Sequence, residues 1–317
     1  MSKYFPKIQN LNKKTILSDY FLRHNLCLNN LFNFTSVMKT GFDIGSTLIK
    51  VVWQEDGRWQ FDSTAHQPLD ILLRNLQKKQ ISRLHITGIG LNHVPLIKGF
   101  EMRKRKGDAI MAELLNQVAG VNYLLAQQNK SHVQDYLLVS IGTGTSYTRV
   151  RGASVRKFPL GNALAGGFLY GMSKFMGYAN YNDFLNIAKE GKLENVELLL
   201  KDKMAETALK PEGNLLVAHL AKTEIDTPKS DIQIGFLNMI AIGVVRDILL
   251  IDLIPEFSGI KQIVCIGSNI ENDSPLKSLL IQYKDFIQKE LVFVEHGAYA
   301  NALGAYHLEW NSMEKIV

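Results

Sequence analysis

The run Asp43-Ile44-Gly45-Ser46-Thr47-Leu48-Ile49-Lys50 places a carboxylate at the end of an apolar stretch, then a tight turn, then a cation. Gly45 lets backbone N–H groups approach an anion without a side chain in the way, and the chain there is free to turn sharply. The hydroxyls of Ser46 and Thr47 and the ammonium of Lys50 suit the same anion. Asp43 suits Mg²⁺, directly or through water, because that ion prefers oxygen ligands. An ordinary hairpin with an Asp at its edge explains the same residues. A second turn, Gly142-Thr143-Gly144-Thr145-Ser146, repeats the arrangement a hundred positions later. Two such turns at matching points favour a polyphosphate held between two domains, since it needs donors from both sides.

A third segment, Ile266-Gly267-Ser268-Asn269, also ends an apolar run, and Gly297-Ala298-Tyr299-Ala300-Asn301-Ala302-Leu303-Gly304-Ala305 opens a helical pattern with small residues. Gly267, Ser268 and Gly297 could let an adenine ring lie on the backbone; close helix–sheet packing explains the small residues equally well. Three other nucleotide signatures are absent: there is no GxxxxGK[ST], no GxGxxG opening a helix and no protein-kinase set.

Period-2 runs at 41–45, 48–53 and 58–63 read as strands, 69–80 as a helix, 83–87 as a strand and 111–127 as a helix. The pattern then restarts with strands at 136–141, 146–151 and 154–158. Helices follow at 166–176, 182–190 and 234–254, then a strand at 262–266, a helix at 274–288, a strand at 291–294 and a helix at 298–309. Hairpin strands followed by alternating helices and strands, twice over, predict a duplicated α/β fold with a cleft between the copies. The expected domains are 38–134 and 135–317, the second carrying a polar insertion at about 191–229. Residues 1–37 read differently, rich in Asn, Leu and Lys. Either they are an appended helix-forming segment or translation begins at Met38.

The chain has 317 residues and a formal charge of +6, with 46% hydrophobic and 21% charged residues, a composition able to bury large cores. Lys3, Lys7, Lys13, Lys14 and Arg23 against Asp19 give the leader about +4, leaving about +2 for the remainder, too weak a field for a nucleic-acid partner. The run Arg103-Lys104-Arg105-Lys106 reads as a solvated loop, or as a device for anion steering. Cys27 and Cys265 are far apart and cannot build a zinc site; two scattered thiols fit a reducing cytoplasm. No secretory h-region is present. The longest apolar stretch, 235–254, contains Arg246, Asp247 and Asp252 and reads as a buried helix, not a membrane span.

In order, these segments resemble the acetate and sugar kinase, Hsp70 and actin superfamily, and more closely the type II pantothenate kinases. The resemblance rests on the opening Asp43–Lys50, the intact GTGTS turn at Gly142–Ser146, and the ending Val294-Glu295-His296-Gly297-Ala298 with Asn301–Ala305, and it spans about residues 38–310. It implies two ribonuclease H-like (actin-like ATPase) domains around an interdomain nucleotide cleft, ATP and Mg²⁺ as co-reactants, pantothenate as substrate, and a homodimer. The family's general base, a glutamate early in the long helix before the GTGTS strand, matches Glu113. Its substrate-site arginine aligns near Phe158, so Arg156 is the candidate, or Lys157, if the turn differs by a residue or two.

The sequence departs from the family in three places. Ser46 replaces a turn glycine, Thr87-Gly88-Ile89-Gly90 only partly matches the family's TGG turn, and Pro159 stiffens a segment that is glycine-rich in the family. The last departure leaves open another small-alcohol or sugar kinase on the same fold, or a nucleotide-binding protein that has lost transfer. An ATP-driven activator with an iron–sulfur cluster is disfavoured, because Cys265 could contribute only by pairing across a dimer.

Overall fold

The computed structural model describes residues 38–316 except 66–68, 89, 91–96, 98, 205 and 207–210; the expectations for the leader, Cys27 and Ile89 lie outside them. The first lobe begins with β1 (Lys39–Ile44), β2 (Leu48–Glu55) and β3 (Arg58–Ala65). It continues through α1 (Leu69–Lys78), β4 (Arg83–Thr87), β5 (Glu101–Arg105) and α2 (Ala109–Gln127). The second lobe opens with β6 (Asp135–Ile141), β7 (Thr145–Arg151) and β8 (Ser154–Lys157), then α3 (Gly166–Phe175) and α4 (Tyr181–Ala188). A small ribbon, β9 (Leu198–Leu199) with β10 (Leu216–Ala218), precedes the long helix α5 (Lys229–Asp252). Then come β11 (Gln262–Ile266), α6 (Pro275–Gln282), α7 (Lys284–Ile287), β12 (Glu290–Phe293), α8 (Ala300–Tyr306) and β13 (Met313–Lys315).

Strand order makes the duplication explicit. The first sheet runs β13-β5-β4-β1-β2-β3 and the second β12-β11-β6-β7-β8. Each copy is an antiparallel three-stranded meander whose first strand pairs in parallel with a later one, which pairs in parallel with the next. The chain end then crosses back: β13 lies antiparallel to β5 and α8 packs on β1, so the last residues complete the first lobe. The expected cut at 134/135 therefore separates the sheets' first strands, while the carboxy-terminal segment belongs with the earlier sheet.

Alternation along the strands divides the core into layers. Phe42, Ile44 and Val51 face α1 with Leu72 and Leu76. Val52 joins α2, α8 and the Tyr136, Leu138 and Val264 face of the second sheet in a central cluster. Leu137, Val139 and Tyr147, on the opposite face, pack against α3–α6. The order is thus helix, sheet, helix pair, sheet, helices, with α2 and α8 as the shared middle layer.

Close approach builds that middle layer. Gly41 on β1 lies against the carbonyl of Ala302, and Gly120 on α2 against that of Ala300, so a Cβ at either position would collide with backbone. The small residues of the 300–305 segment are therefore used for helix packing. The α2 helix starts at Asp108, whose side chain accepts from Met111 N, and buries Leu114, Val118, Val121 and Leu125. Each fully buried aliphatic side chain of this kind contributes ~1.5–3 kcal/mol.

Two expectations change. The basic run is no loop: Arg103–Arg105 belong to β5, where Arg103 donates to Trp310 O at 2.9 Å and Arg105 to Asn116 Oδ1 at 2.7 Å. The alternation of a parallel strand is hidden there because long basic side chains snorkel past its edge. The second change is in α6–α7, a single helix by pattern that breaks at Tyr283.

Helix α5 is long and apolar enough to cross a membrane by length and composition, but it is mostly buried as the core helix of the second lobe. Its neighbour, the polar insertion, is tied down by Glu197. That buried carboxylate accepts from Asn238 Nδ2 at 2.9 Å and Leu220 N at 3.2 Å, and pairs with His219 Nδ1 at 3.0 Å. Such donors are what a buried carboxylate requires.

Candidate active site

The two glycine turns meet. Ser46 Oγ and Thr47 Oγ1 lie 2.9 and 3.0 Å from Thr143 Oγ1, bringing hydroxyls of both lobes together at an exposed point. The second turn is built from its own backbone: Gly142 N donates to Gly144 O, and α3 tucks beneath it, with Gly166 N and Gly167 N donating to the carbonyls of Gly142 and Thr143. Thr145 forms a bridge with Asn162, whose amide donates to Asp247 at 2.9 Å. Ser146 follows on β7. Gly267 presses on the carbonyl of Ile141, immediately before the turn, and leads into exposed Ser268. Gly297 lies against Ile266. Gly142–Ser146, Gly267 and Ser268 thus share one neighbourhood at the carboxy-terminal ends of β6 and β11.

Asp43 stands opposite Lys50 in the β1–β2 ladder. It is 5% exposed, and its Oδ1 is buried with no hydrogen-bond partner. Burial pushes its carboxyl up to about 7, the nearby Glu113 adding to the effect while Lys50 and Asn301 oppose it. Burial likewise pulls Lys50 below its ordinary value, against the attraction of Asp43 and Glu271. Glu271 reaches across from the second lobe: its carboxylate accepts from His296 N at 3.1 Å and Ala298 N at 2.9 Å, fixing the turn before α8.

Glu113 is half-buried on the first turns of α2, and burial raises its carboxyl, with Lys157 and Asn301 opposing. The helix is anchored to both lobes just beyond it. Asn116 donates to Thr87 Oγ1 at 3.0 Å on the first sheet, and Gln117 to Ser140 Oγ at 3.1 Å on the second. Asn301 Nδ2 reaches Glu113 Oε1 at 3.5 Å.

Arg156 is not brought to this cluster. In the β7–β8 ladder it stands opposite Arg149, while Lys157 stands opposite Thr148. Val155 packs into the central cluster and Phe158 into the outer one, so alternation puts Lys157 on the face covered by α2 and Arg156 on the other. Lys157 is the cation that acts on Glu113.

A group that could hold Mg²⁺ is present in Asp43, whose buried, unpartnered oxygen fits a hydrated hard cation. Among the described residues no cluster of three or more His, Cys, Asp or Glu exists, so such an ion would depend on phosphate and water for its other ligands. Cys265 is a free thiol buried in the second lobe's core, which leaves it unable to reach a cluster between subunits. An open groove of about 960 Å³ between β12 and α6–α7 lies at the amino-terminal end of β11, away from these residues.

The family model named Fumble matches residues 96–308, about two thirds of the chain. The chain belongs to the Fumble family. The type II pantothenate kinase of Oceanobacillus iheyensis is 26% identical over 274 residues, covering 84% of this chain and 98% of that protein. The type II pantothenate kinase of Staphylococcus aureus strain USA300 is 27% identical over 277 residues, covering 86% and 100%. Among solved structures, the activator of 2-hydroxyisocaproyl-CoA dehydratase from Clostridium difficile with bound ADPNP superposes with a TM-score of 0.52 at 18% identity, covering 84% of this chain and 92% of that one. Component A of (R)-2-hydroxyglutaryl-CoA dehydratase from Acidaminococcus fermentans gives 0.52 at 16% identity, covering 85% and 96%. The structural likeness is one of fold alone. This Fumble chain is type II pantothenate kinase-like over most of its length and has two sheet-containing lobes.

Asn301, Lys157 and Glu271 had no assigned role in the sequence reading, or a secondary one. Asn301 carried a signal: it is the lone amide in a run of Ala, Gly, Leu and Tyr.

Proposed function

We propose that this protein transfers the γ-phosphoryl group of ATP to pantothenate, giving 4′-phosphopantothenate, as a cytoplasmic homodimer that opens coenzyme A synthesis. The observation that carries the reading is the meeting of the two glycine turns beside a buried Asp43 and a half-buried Glu113. Backbone N–H groups and hydroxyls of Gly45–Thr47 and Gly142–Ser146, with Lys50, cradle the phosphates. Glu113 takes the proton of the alcohol as its oxygen bonds to the γ-phosphorus and the bond to the β-phosphate oxygen breaks, releasing ADP. Its carboxyl is raised by burial, which brings the base closer to neutrality and strengthens it. Mg²⁺, when bound, neutralises phosphate charge; Asp43 would hold it.

One observation favours a second reading, transfer to another small alcohol. The cation facing Glu113 is a lysine, a point charge, where an arginine would grip a carboxylate bidentately. An ATP- and Mg²⁺-dependent assay with pantothenate, comparing the wild type with Glu113→Gln, tests both readings. Phosphopantothenate from the wild type and a loss of ~10²-fold or more in the variant are expected. Turnover with a different alcohol only would select the second reading, and ATP binding with no product from any alcohol would remove both.

A further inference from the structure

Two periodicities aim carboxylates at one point. On β1, Gly41 lies against α8 at Ala302, and Asp43, two residues on, shares that face. On α2, Gly120 lies against α8 at Ala300, and Glu113, seven residues back, shares that stripe. Between Ala300 and Ala302 stands Asn301. Its amide lies 3.5 Å from Glu113 Oε1 and opposes the upward push on the Asp43 carboxyl, while its own Oδ1 is buried with no partner. The backbone that carries it is fixed on three sides, by the two close contacts and by Glu271 capping the preceding turn.

We propose that Asn301 is a positioning residue that holds the carboxylates of Glu113 and Asp43 in a set relation across the two lobes, acting on phosphotransfer through Glu113. Asn301 supplies a neutral donor between the two carboxylates, and an apolar side chain there would remove the hydrogen bond to Glu113. At 3.5 Å the bond to Glu113 is long, as catalytic hydrogen bonds are before substrate tightens them.

This rests on the kinase reading above, so the test has one arm that needs turnover and one that does not. In the first, kcat and KM are measured for the wild type, Asn301→Leu, Glu113→Gln and the double variant. Asn301→Leu is expected to lower kcat ~30-fold with KM for ATP within ~3-fold, and to cost less than ~3-fold more once Glu113 is Gln. Losses that multiply in the double variant overturn the proposal. In the second arm, thermal unfolding is followed for the same four proteins. Asn301→Leu should lower Tm by ~3 °C, and Glu113→Gln should remove at least half of that loss. Equal losses in both backgrounds overturn the proposal even where activity is absent. Should Asn301→Leu fail to fold, Asn301→Ala, which removes the donor in a smaller volume, takes its place in both arms. A wild type that phosphorylates no alcohol defeats the kinase reading alone, because the unfolding cycle still decides whether Asn301 couples to Glu113.

Discussion

The two lobes repeat one topology, and their glycine turns can be compared position by position. In the first, Ile44 pairs with Ile49 and Asp43 with Lys50; in the second, Ile141 pairs with Thr145 and Ser140 with Ser146. Asp43 and Lys50 in one copy thus stand where the other has two serines. The difference is functional asymmetry laid on structural symmetry. On the proposed function, the first turn carries the groups that would meet cation and phosphate charge. The second supplies neutral donors, and Ser140 also anchors α2 through Gln117.

The sharpest way to break this comparison is to neutralise the first turn and trim its counterpart. Asp43→Asn is expected to lower kcat by ~10²-fold or more, the scale for removing one organised electrostatic group. Ser140→Ala at the matching position should cost less than ~5-fold, through looser anchoring of α2. Steady-state kinetics of the two variants decides it, and equal losses would mean that the turns share the electrostatic work.

Next in size is the wedge behind the second turn. Gly267 has φ 142°, and a Cβ there would collide with the carbonyl of Ile141. Gly267→Ala is expected to destabilise the fold by about 2 kcal/mol, read from urea unfolding, because both the backbone angle and the contact oppose it. Gly142→Ala, with space around its Cβ position, should cost well under ~1 kcal/mol while weakening ATP binding. The second turn is thus predicted to fail in binding when changed directly and in folding when its support is changed.

Smaller again is the effect at the substrate side. Lys157→Ala should raise KM for the alcohol about 10-fold, the scale for removing one charged contact. Arg156→Ala should change it less than ~2-fold, since Arg156 lies on the opposite face of β8. The reverse ranking would restore Arg156 to the cleft and demand a register shift in β8 on binding.

What was legible in the sequence follows from what is local. The hairpins showed in alternation and the turns in glycine spacing, and the repeat showed in element order, because each is written in neighbouring residues. Glu113 looked like any solvent-facing helix glutamate; only resemblance singled it out. Its setting depends on α8, nearly two hundred residues away, which no local pattern encodes. Arg156 against Lys157 turned on strand parity next to Pro159, where a one-residue slip reverses every side chain. The return of β13 to the first sheet was hidden for a similar reason, since a three-residue edge strand carries almost no period.

The finest test of the comparison is the cost of the first turn's charge to the fold itself. Asp43 is raised from an ordinary 3.8 to about 7. A carboxyl raised in the folded state contributes stability that is complete below pH ~4 and is lost as pH rises through about 7. Glu113, also raised, acts in the same direction. His85 opposes both: burial lowers it from 6.5 to about 4, so its contribution is complete above pH 6.5 and is lost as pH falls through about 4. The net curve therefore mixes opposite slopes, and the difference between wild type and Asp43→Asn isolates one of them. Without nucleotide, Asp43→Asn should gain on the wild type by ~1–2 kcal/mol between pH 5 and pH 8, measured by urea unfolding at both. Ser140→Ala should show no such pH-dependent difference, having no proton to exchange. A stability difference for Asp43→Asn that stays constant with pH would mean that its carboxylate is already charged at pH 5, and the contrast between the two turns would then rest on shape alone.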